Sequence, residues 1–250
     1  MIGVHDLCKQ YGAFTAVDGV NLAVPPGEIH GFLGPNGAGK TTSIRMIAGL
    51  LKPTAGRILV NGHDLAASPE SAKASLGFIP DRPYIYEKLT AGEFLRFHAA
   101  LYGMNGNGTT QRVRDMLELF ELGRWEHELV ESFSHGMKQR LVMCAAFLHQ
   151  PKAVLVDEPM VGLDPRGAKL IKSVFKRMSD RGVAILMSTH TLEVAQEMCD
   201  RISIILQGKI IANGTVDELR ALAGGEHAEL TPVFLKLTGG SGLQEIDEIV

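Results

Sequence analysis

Residues 34–42 read Gly-Pro-Asn-Gly-Ala-Gly-Lys-Thr-Thr, and few short runs restrict a fold as strongly. The run satisfies G-x-x-x-x-G-K-[ST], a loop whose successive backbone N–H groups converge on one anion. Glycine reaches backbone angles closed to residues with a Cβ. Gly34, Gly37 and Gly39, with Pro35, Asn36 and Ala38 among them, can therefore form the cradle. Lys40 brings a positive charge to the outer phosphates, and the Thr41 hydroxyl is placed to ligate Mg²⁺. The flanks fit as well. Ile29-His30-Gly31-Phe32-Leu33 reads as a short buried strand, and Ile44, Ile47, Leu50 and Leu51 recur at helical spacing. The loop thus lies between a strand and a helix N-terminus, where the dipole also favours phosphate. A plain glycine-rich turn is the alternative, and the flanks argue against it.

A chain of 250 residues holds one large α/β domain, or one domain with an inserted lobe. Apolar content of 45% and charged content of 21% suit a globular domain. The net charge of −3 offers no basic footprint, so nucleic acid is not an expected partner. Cys8, Cys144 and Cys199 are far apart and show neither metal spacing nor a disulfide framework, which suits a reducing cytosol. No signal-peptide pattern opens the chain. No apolar run approaches the roughly 20 residues of a membrane span. Any membrane role is expected to act through a partner.

Residues 2–24 alternate in short apolar pieces, as antiparallel strands do. Within them Tyr11, before Gly12, is either simple packing or a ring stacked on a base. Ile58 to Leu65 reads as a hairpin about Asn61-Gly62. Residues 76–86 begin as a strand and end as a loop broken by Pro80 and Pro83. There Asp81 is either a solvated acid or a group reaching a metal or water. Thr90 and Glu93 have capping-box spacing, with Phe94, Leu95, His98 and Leu101 on the helix that follows. After a polar loop at 105–110, a second helix is expected to about Leu122, with Val113, Met116, Leu117 and Phe120 as its apolar stripe. Ser134-His135-Gly136 precedes an apolar helix from Leu141 to Leu148. Ser134 and Gly136 are either an ordinary cap or an anion-binding helix start.

Ala153 to Val156 is a continuous apolar run, as a strand buried on both faces requires. It ends in Asp157-Glu158, two carboxylates that are costly at a buried strand end without a task or partners. After a P-loop, Asp157 fits a Mg²⁺-holding acid and Glu158 a base for water. Asp164 lies in a turn before a helix at 167–180. Val183 to Met187 is another buried strand, and it leads to His190 on the ligand-binding edge. A helix at 191–200 and a hairpin about Gln207-Gly208 follow. From 221 the chain loosens into an acidic appendage with one short helix candidate at Val233 to Leu237.

This ordered set resembles the nucleotide-binding subunit of ATP-binding cassette (ABC) transporters, over about residues 2–220. The resemblance rests on the P-loop, the Ser134–Arg140 signature, Val-Asp-Glu, Gly-Leu-Asp and Thr-His in that order. It implies a P-loop NTPase (RecA-like) α/β core with helices on both faces, an N-terminal antiparallel β subdomain and an inserted α-helical lobe. The ATPase domain would span 1–220, with the lobe at about 87–150, and 221–250 would be an appendage.

It also implies ATP and Mg²⁺. Tyr11 would stack on adenine, and Thr42 would join the phosphate contacts. Asp157 would be the Walker B acid, Glu158 the general base and His190 the switch histidine. Ser134, Gly136 and Asp164 would complete a site shared with a second subunit, most simply another copy. Asp81 stands where the family commonly has Gln, and His135 replaces the signature's first Gly. Asp81 can still organise Mg²⁺ and water. Together with Gly-Met-Lys-Gln-Arg-Leu, it resembles the type-2 exporter branch.

The expected activity is ATP hydrolysis that drives export through a separate membrane subunit, with this chain at the cytoplasmic face. The loop Asp81–Tyr86 and the helix after it form the expected docking surface, through Tyr84, Ile85 and Tyr86; packing of these rings into the lobe is the alternative. The rivals are a soluble cassette ATPase of assembly or translation and a small-molecule kinase. The signature motif argues against the kinase.

Overall fold

The computed structural model describes residues 1–82, 84–106, 108–221 and Phe234. β1 (Ile2–Tyr11) and β2 (Phe14–Val24) form an antiparallel hairpin. β3 (Ile29–Leu33) then enters the core, buried at every position, and leads through the P-loop into α1 (Lys40–Ile47). β4 (Ala55–Val60) returns to pair with β1, and β5 (His63–Asp64) pairs with β4. Asn61 and Gly62 between them have φ of 50° and 83°, as a tight two-residue hairpin turn requires. The sheet they complete has the order β2-β1-β4-β5.

After α2 (Pro69–Ala74) and β6 (Leu76–Ile79) the chain turns helical: α3 (Ala91–Leu101), α4 (Gly108–Leu119) and α5 (His135–Leu148). It closes with β7 (Ala153–Asp157), α6 (Pro165–Asp180), β8 (Ala184–Thr189), α7 (Leu192–Met198), β9 (Arg201–Leu206), β10 (Lys209–Gly214) and α8 (Val216–Ala221). The second sheet runs β10-β9-β3-β8-β7-β6 and is parallel except for the β9–β10 hairpin.

β7 and β8 are buried throughout, and their side chains serve two cores. Val154, Val156, Ile185 and Met187 pack toward helices α3 to α8. Ala153, Leu155, Ala184 and Leu186 pack toward α1 and the four-stranded sheet. A strand covered on both faces must be apolar at successive positions, and these are. The fold is the expected α/β P-loop architecture, with the antiparallel sheet on one side.

Several boundaries differ from the sequence expectation. α4 starts at Gly108, inside the expected polar loop, and ends at Leu119 rather than near Leu122. Leu122 is fully buried beyond a turn. α5 starts at His135, well before Leu141. Ser134 Oγ caps it by accepting the Met137 N–H at 3.3 Å, and Gln139 in its early turns is buried. α6 begins at Pro165, and α7 is shorter than 191–200. The expected helix at Val233 to Leu237 lies outside the described residues except for Phe234, which packs against the larger core.

The capping box at α3 forms as its spacing predicts. Thr90 Oγ1 accepts the Glu93 N–H at 3.2 Å, and Glu93 Oε2 accepts the Thr90 N–H at 2.8 Å. Thr90→Ala is expected to lower stability by about 1 kcal/mol, measured by urea denaturation, with no change in nucleotide binding.

Candidate functional site: the P-loop cleft

β3, β7 and β8 end at one edge of the parallel sheet, where a ligand crevice is expected. β3 delivers residues 34–39, β7 delivers Asp157 and Glu158, and β8 delivers Ser188, Thr189 and His190.

The three loop glycines serve different needs. Gly37 has φ +80° and open space about it, so it supplies backbone conformation alone. Gly39 has φ +107°, and a Cβ there would lie 2.6 Å from the Ala16 carbonyl oxygen. Gly34 is outside the left-handed region, contrary to the sequence reading. It supplies room instead, because a Cβ would collide with the Ile205 carbonyl oxygen. The loop is braced from outside by the Gly208 N–H, which donates to the Ala38 carbonyl at 2.9 Å.

Lys40 is 6% exposed. Its Nζ donates to the carbonyls of Gly34 at 2.6 Å and Pro35 at 3.0 Å, which leaves one of three ammonium protons for another acceptor. Burial pulls this ammonium below the usual lysine range, and the charges of Glu158 and then Asp157 push it back up. Asp157 is 3% exposed and accepts the Ser188 hydroxyl. Glu158 has φ +53°, a left-handed conformation that side chains avoid and that is concentrated at working sites. Its carboxylate takes His190 Nδ1–H at 2.8 Å on one oxygen and the Thr189 hydroxyl at 3.3 Å on the other. A carboxylate can only accept, so the bond sets which nitrogen of His190 carries the proton.

These groups surround a cleft of about 480 Å³. Asn36, Gly37, Gly39, Lys40, Thr41 and Thr42 line it together with Asp81, Glu158 and His190. Phe14, Ala16 and Val161 complete the lining, and sequence reasoning missed all three. Tyr11 is half exposed, opposite Phe14 in the β1–β2 hairpin, with the Lys9 ammonium 5.1 Å from its ring centroid. It does not line the cleft, whereas Phe14 does. An exposed aromatic paired with Tyr11 beside the Gly12 turn was the available signal.

Asp157 and Asp81 line an adjoining cleft of about 450 Å³ together with Arg45, Phe78, Pro80 and Tyr84. Asp81 therefore borders both spaces. Ser134, Gly136 and Asp164 lie elsewhere. Ser134 caps α5, and Asp164 caps α6 by accepting the Gly167 N–H at 2.8 Å. A Cβ on Gly136 would lie 3.2 Å from the Gly162 carbonyl oxygen. None of the three lines the P-loop cleft of its own chain.

The family profile described as ABC transporter matches residues 17–161. The chain belongs to the ABC transporter family. It is 38% identical over 226 residues to the probable multidrug ABC transporter ATP-binding protein YbhF of Escherichia coli (strain K12), covering 90% of this chain and 39% of that protein. This ABC chain thus spans well under half of YbhF. It is 36% identical over 241 residues to the ABC-type transporter ATP-binding protein EcsA of Bacillus subtilis (strain 168), covering 95% and 96%. A solved ATP-binding subunit of an ABC transporter superposes with a TM-score of 0.89 at 36% identity, covering 95% of this chain and 99% of that one.

Proposed function

We propose that this cassette hydrolyses Mg²⁺-bound ATP and thereby drives an exporter whose membrane-spanning part is a separate subunit. The observation that carries the reading is Glu158, in a left-handed backbone conformation at the sheet edge, lining the same cleft as Lys40 and close enough for its charge to act on that ammonium. Lys40 binds and neutralises the outer phosphates, while the loop N–H groups orient them. Glu158 accepts the proton of the attacking water, and His190, fixed on Glu158, presents its ring beside the γ-phosphate. Phe14, which lines the cleft, and Tyr11, its partner in the same hairpin, are the aromatic rings offered for the adenine.

The donors suit Mg²⁺. Thr41, Asp157 and Asp81 offer only hard oxygen ligands, and one or two carboxylates with substrate phosphates are this ion's usual protein shell. Bound there, Mg²⁺ would neutralise charge on the β- and γ-phosphate oxygens. Thr41 and Asp157 would hold it, with Asp81 placing water at its side.

Ser134, Gly136 and Asp164 lie off the chain's own cleft, which supports a head-to-tail pair of cassettes. In such a pair each signature helix closes over the ATP of the other subunit. All the named positions are occupied by working residue types, so two copies of this chain suffice. Closing on ATP and reopening after hydrolysis is the motion a membrane subunit would follow.

Tyr84 is 79% exposed and shares its cleft with Asp81. Tyr86 leans edge-on against Phe97 of α3 with centroids 5.5 Å apart, and Ile85 packs on the core. Tyr86 is itself 60% exposed, so Tyr84 is the more exposed of the two docking rings. Tyr84→Ala is expected to leave ATP hydrolysis by the isolated chain unchanged and to abolish co-purification with the membrane subunit. Retained assembly would remove this surface.

Among the described residues no helix is long and apolar enough to cross a membrane, so location at the cytoplasmic face would come through that partner. Purification of the tagged chain from gently solubilised membranes, followed by mass spectrometry, tests the whole reading. A polytopic membrane protein in matched amount supports it. Recovery only with soluble assembly or ribosomal factors would replace it with a soluble ATPase and leave the ATP chemistry as argued.

A further inference from the structure

Glu121 follows α4 with φ +58°. Glycine adopts that backbone freely, and residues with a side chain do so at a cost. The carboxylate that occupies this position reaches two arginines from different helices. Its Oε1 accepts from both Nε and Nη2 of Arg166, at 3.1 and 2.6 Å. Its Oε2 lies 3.5 Å from Arg140 Nη1, which also donates to the Phe120 carbonyl at 3.2 Å.

The two arginines belong to the two segments that lie off the chain's own cleft. Arg140 is on α5, capped by Ser134, and Arg166 is in the first turn of α6, capped by Asp164. A cation in a first turn opposes the helix dipole, so Arg166 is badly placed unless an anion faces it. The pair is also too open to add much stability, with side chains 79% and 39% exposed. An unfavourable backbone and an arginine set against a dipole are a poor way to stabilise a fold. They are an effective way to hold two helix starts in one orientation. A second contact joins the same segments: the His135 ring rests against Gly162 where a Cβ would otherwise sit.

We propose that Glu121 is a positioning residue that holds Ser134–Gly136 and Gly162–Asp164 as one rigid edge, presented to the ATP of the second cassette. The inference rests on the ATP-driven dimer proposed above. Glu121 acts through the helices it joins and touches no nucleotide itself.

Glu121→Gly removes the carboxylate and relieves the backbone, so the fold is kept. The expected result is an unchanged thermal midpoint and unchanged monomer affinity for ATP. The kcat falls about tenfold with little change in KM, as misplacement of a contacting edge does. In the Glu158→Gln background, the ATP-driven dimer followed by light scattering weakens by a similar factor. Arg166→Ala should reproduce this, and the double variant should lose no more than either single one. Parent-like kcat and dimerisation in Glu121→Gly would overturn the proposal. So would a drop in thermal midpoint and monomer affinity that tracks the drop in kcat, since the residue would then only maintain the fold. If the parent Glu158→Gln chain forms no dimer with ATP, the dimer reading itself fails and this inference falls with it.

Discussion

Glu158→Gln is expected to bind ATP like the parent chain and to hydrolyse it about 10²–10⁴-fold more slowly, the usual contribution of a positioned general base. The amide is nearly the same size and keeps an oxygen to accept His190 Nδ1–H, now 2.8 Å from the carboxylate. Its other end still meets the Thr189 hydroxyl, which can turn to accept as well as donate. What is lost is basicity toward water. Binding and chemistry should therefore separate: nucleotide affinity holds, phosphate release nearly stops, and an ATP-filled dimer accumulates on size-exclusion chromatography. Turnover within a few-fold of the parent would remove Glu158 as the base, and Asp81, which lines the same cleft, would be the next residue to test.

Lys40→Ala is expected to lose both binding and turnover. Removing one preorganised charge contact costs roughly 2.7–4 kcal/mol of barrier, or about 10²–10³-fold in rate. The ground state suffers too, because the same ammonium meets the outer phosphates before reaction. The substitution also strips the Gly34 and Pro35 carbonyls of their donor at 2.6 and 3.0 Å, so the loop should loosen. Fluorescent-nucleotide titration and phosphate release measure the two losses, and circular dichroism checks that the sheet is intact. An unchanged affinity for ATP in a folded Lys40→Ala chain would contradict the role given to this side chain. The contrast between the variants is the stronger test. One should bind without turning over, and the other should do neither.

Most of the residues that the structure brings to the candidate site were legible because each motif is local. A strand buried on both faces shows as an unbroken apolar run, and a carboxylate at its end stands out by its cost. Asp157-Glu158 and Thr189-His190 were found in that way. The helix starts were harder. The opening turns of α5 contain Gly136 and polar residues that read as loop, yet a Ser134 cap and burial of Gln139 make them helical. Tertiary contacts override weak propensity in such turns. The same holds at Gly108, where Gly-Thr-Thr opens α4. The aromatic at the cleft was not the one the sequence singled out. Tyr11 was visible beside a glycine turn, but the ring that lines the cleft is its cross-strand partner Phe14, and no short window of residues says which of two paired, exposed rings borders a cleft formed by distant strands.

Residue chemistry and local conformation were determined by the sequence alone: a strand, a phosphate loop, a helix, and acids at the ends of buried strands. These follow from neighbours within a few residues, where steric limits and periodicity act. Which of these pieces meet was decided only by the tertiary structure. The order β10-β9-β3-β8-β7-β6 sets β3 between two late strands, so Lys40 shares a cleft with Glu158 and His190 although both lie far along the chain. It also leaves Ser134, Gly136 and Asp164 away from that cleft, and lets Glu121 join Arg140 to Arg166. Such pairings depend on how the whole sheet buries its two faces, and no short window of residues contains that information.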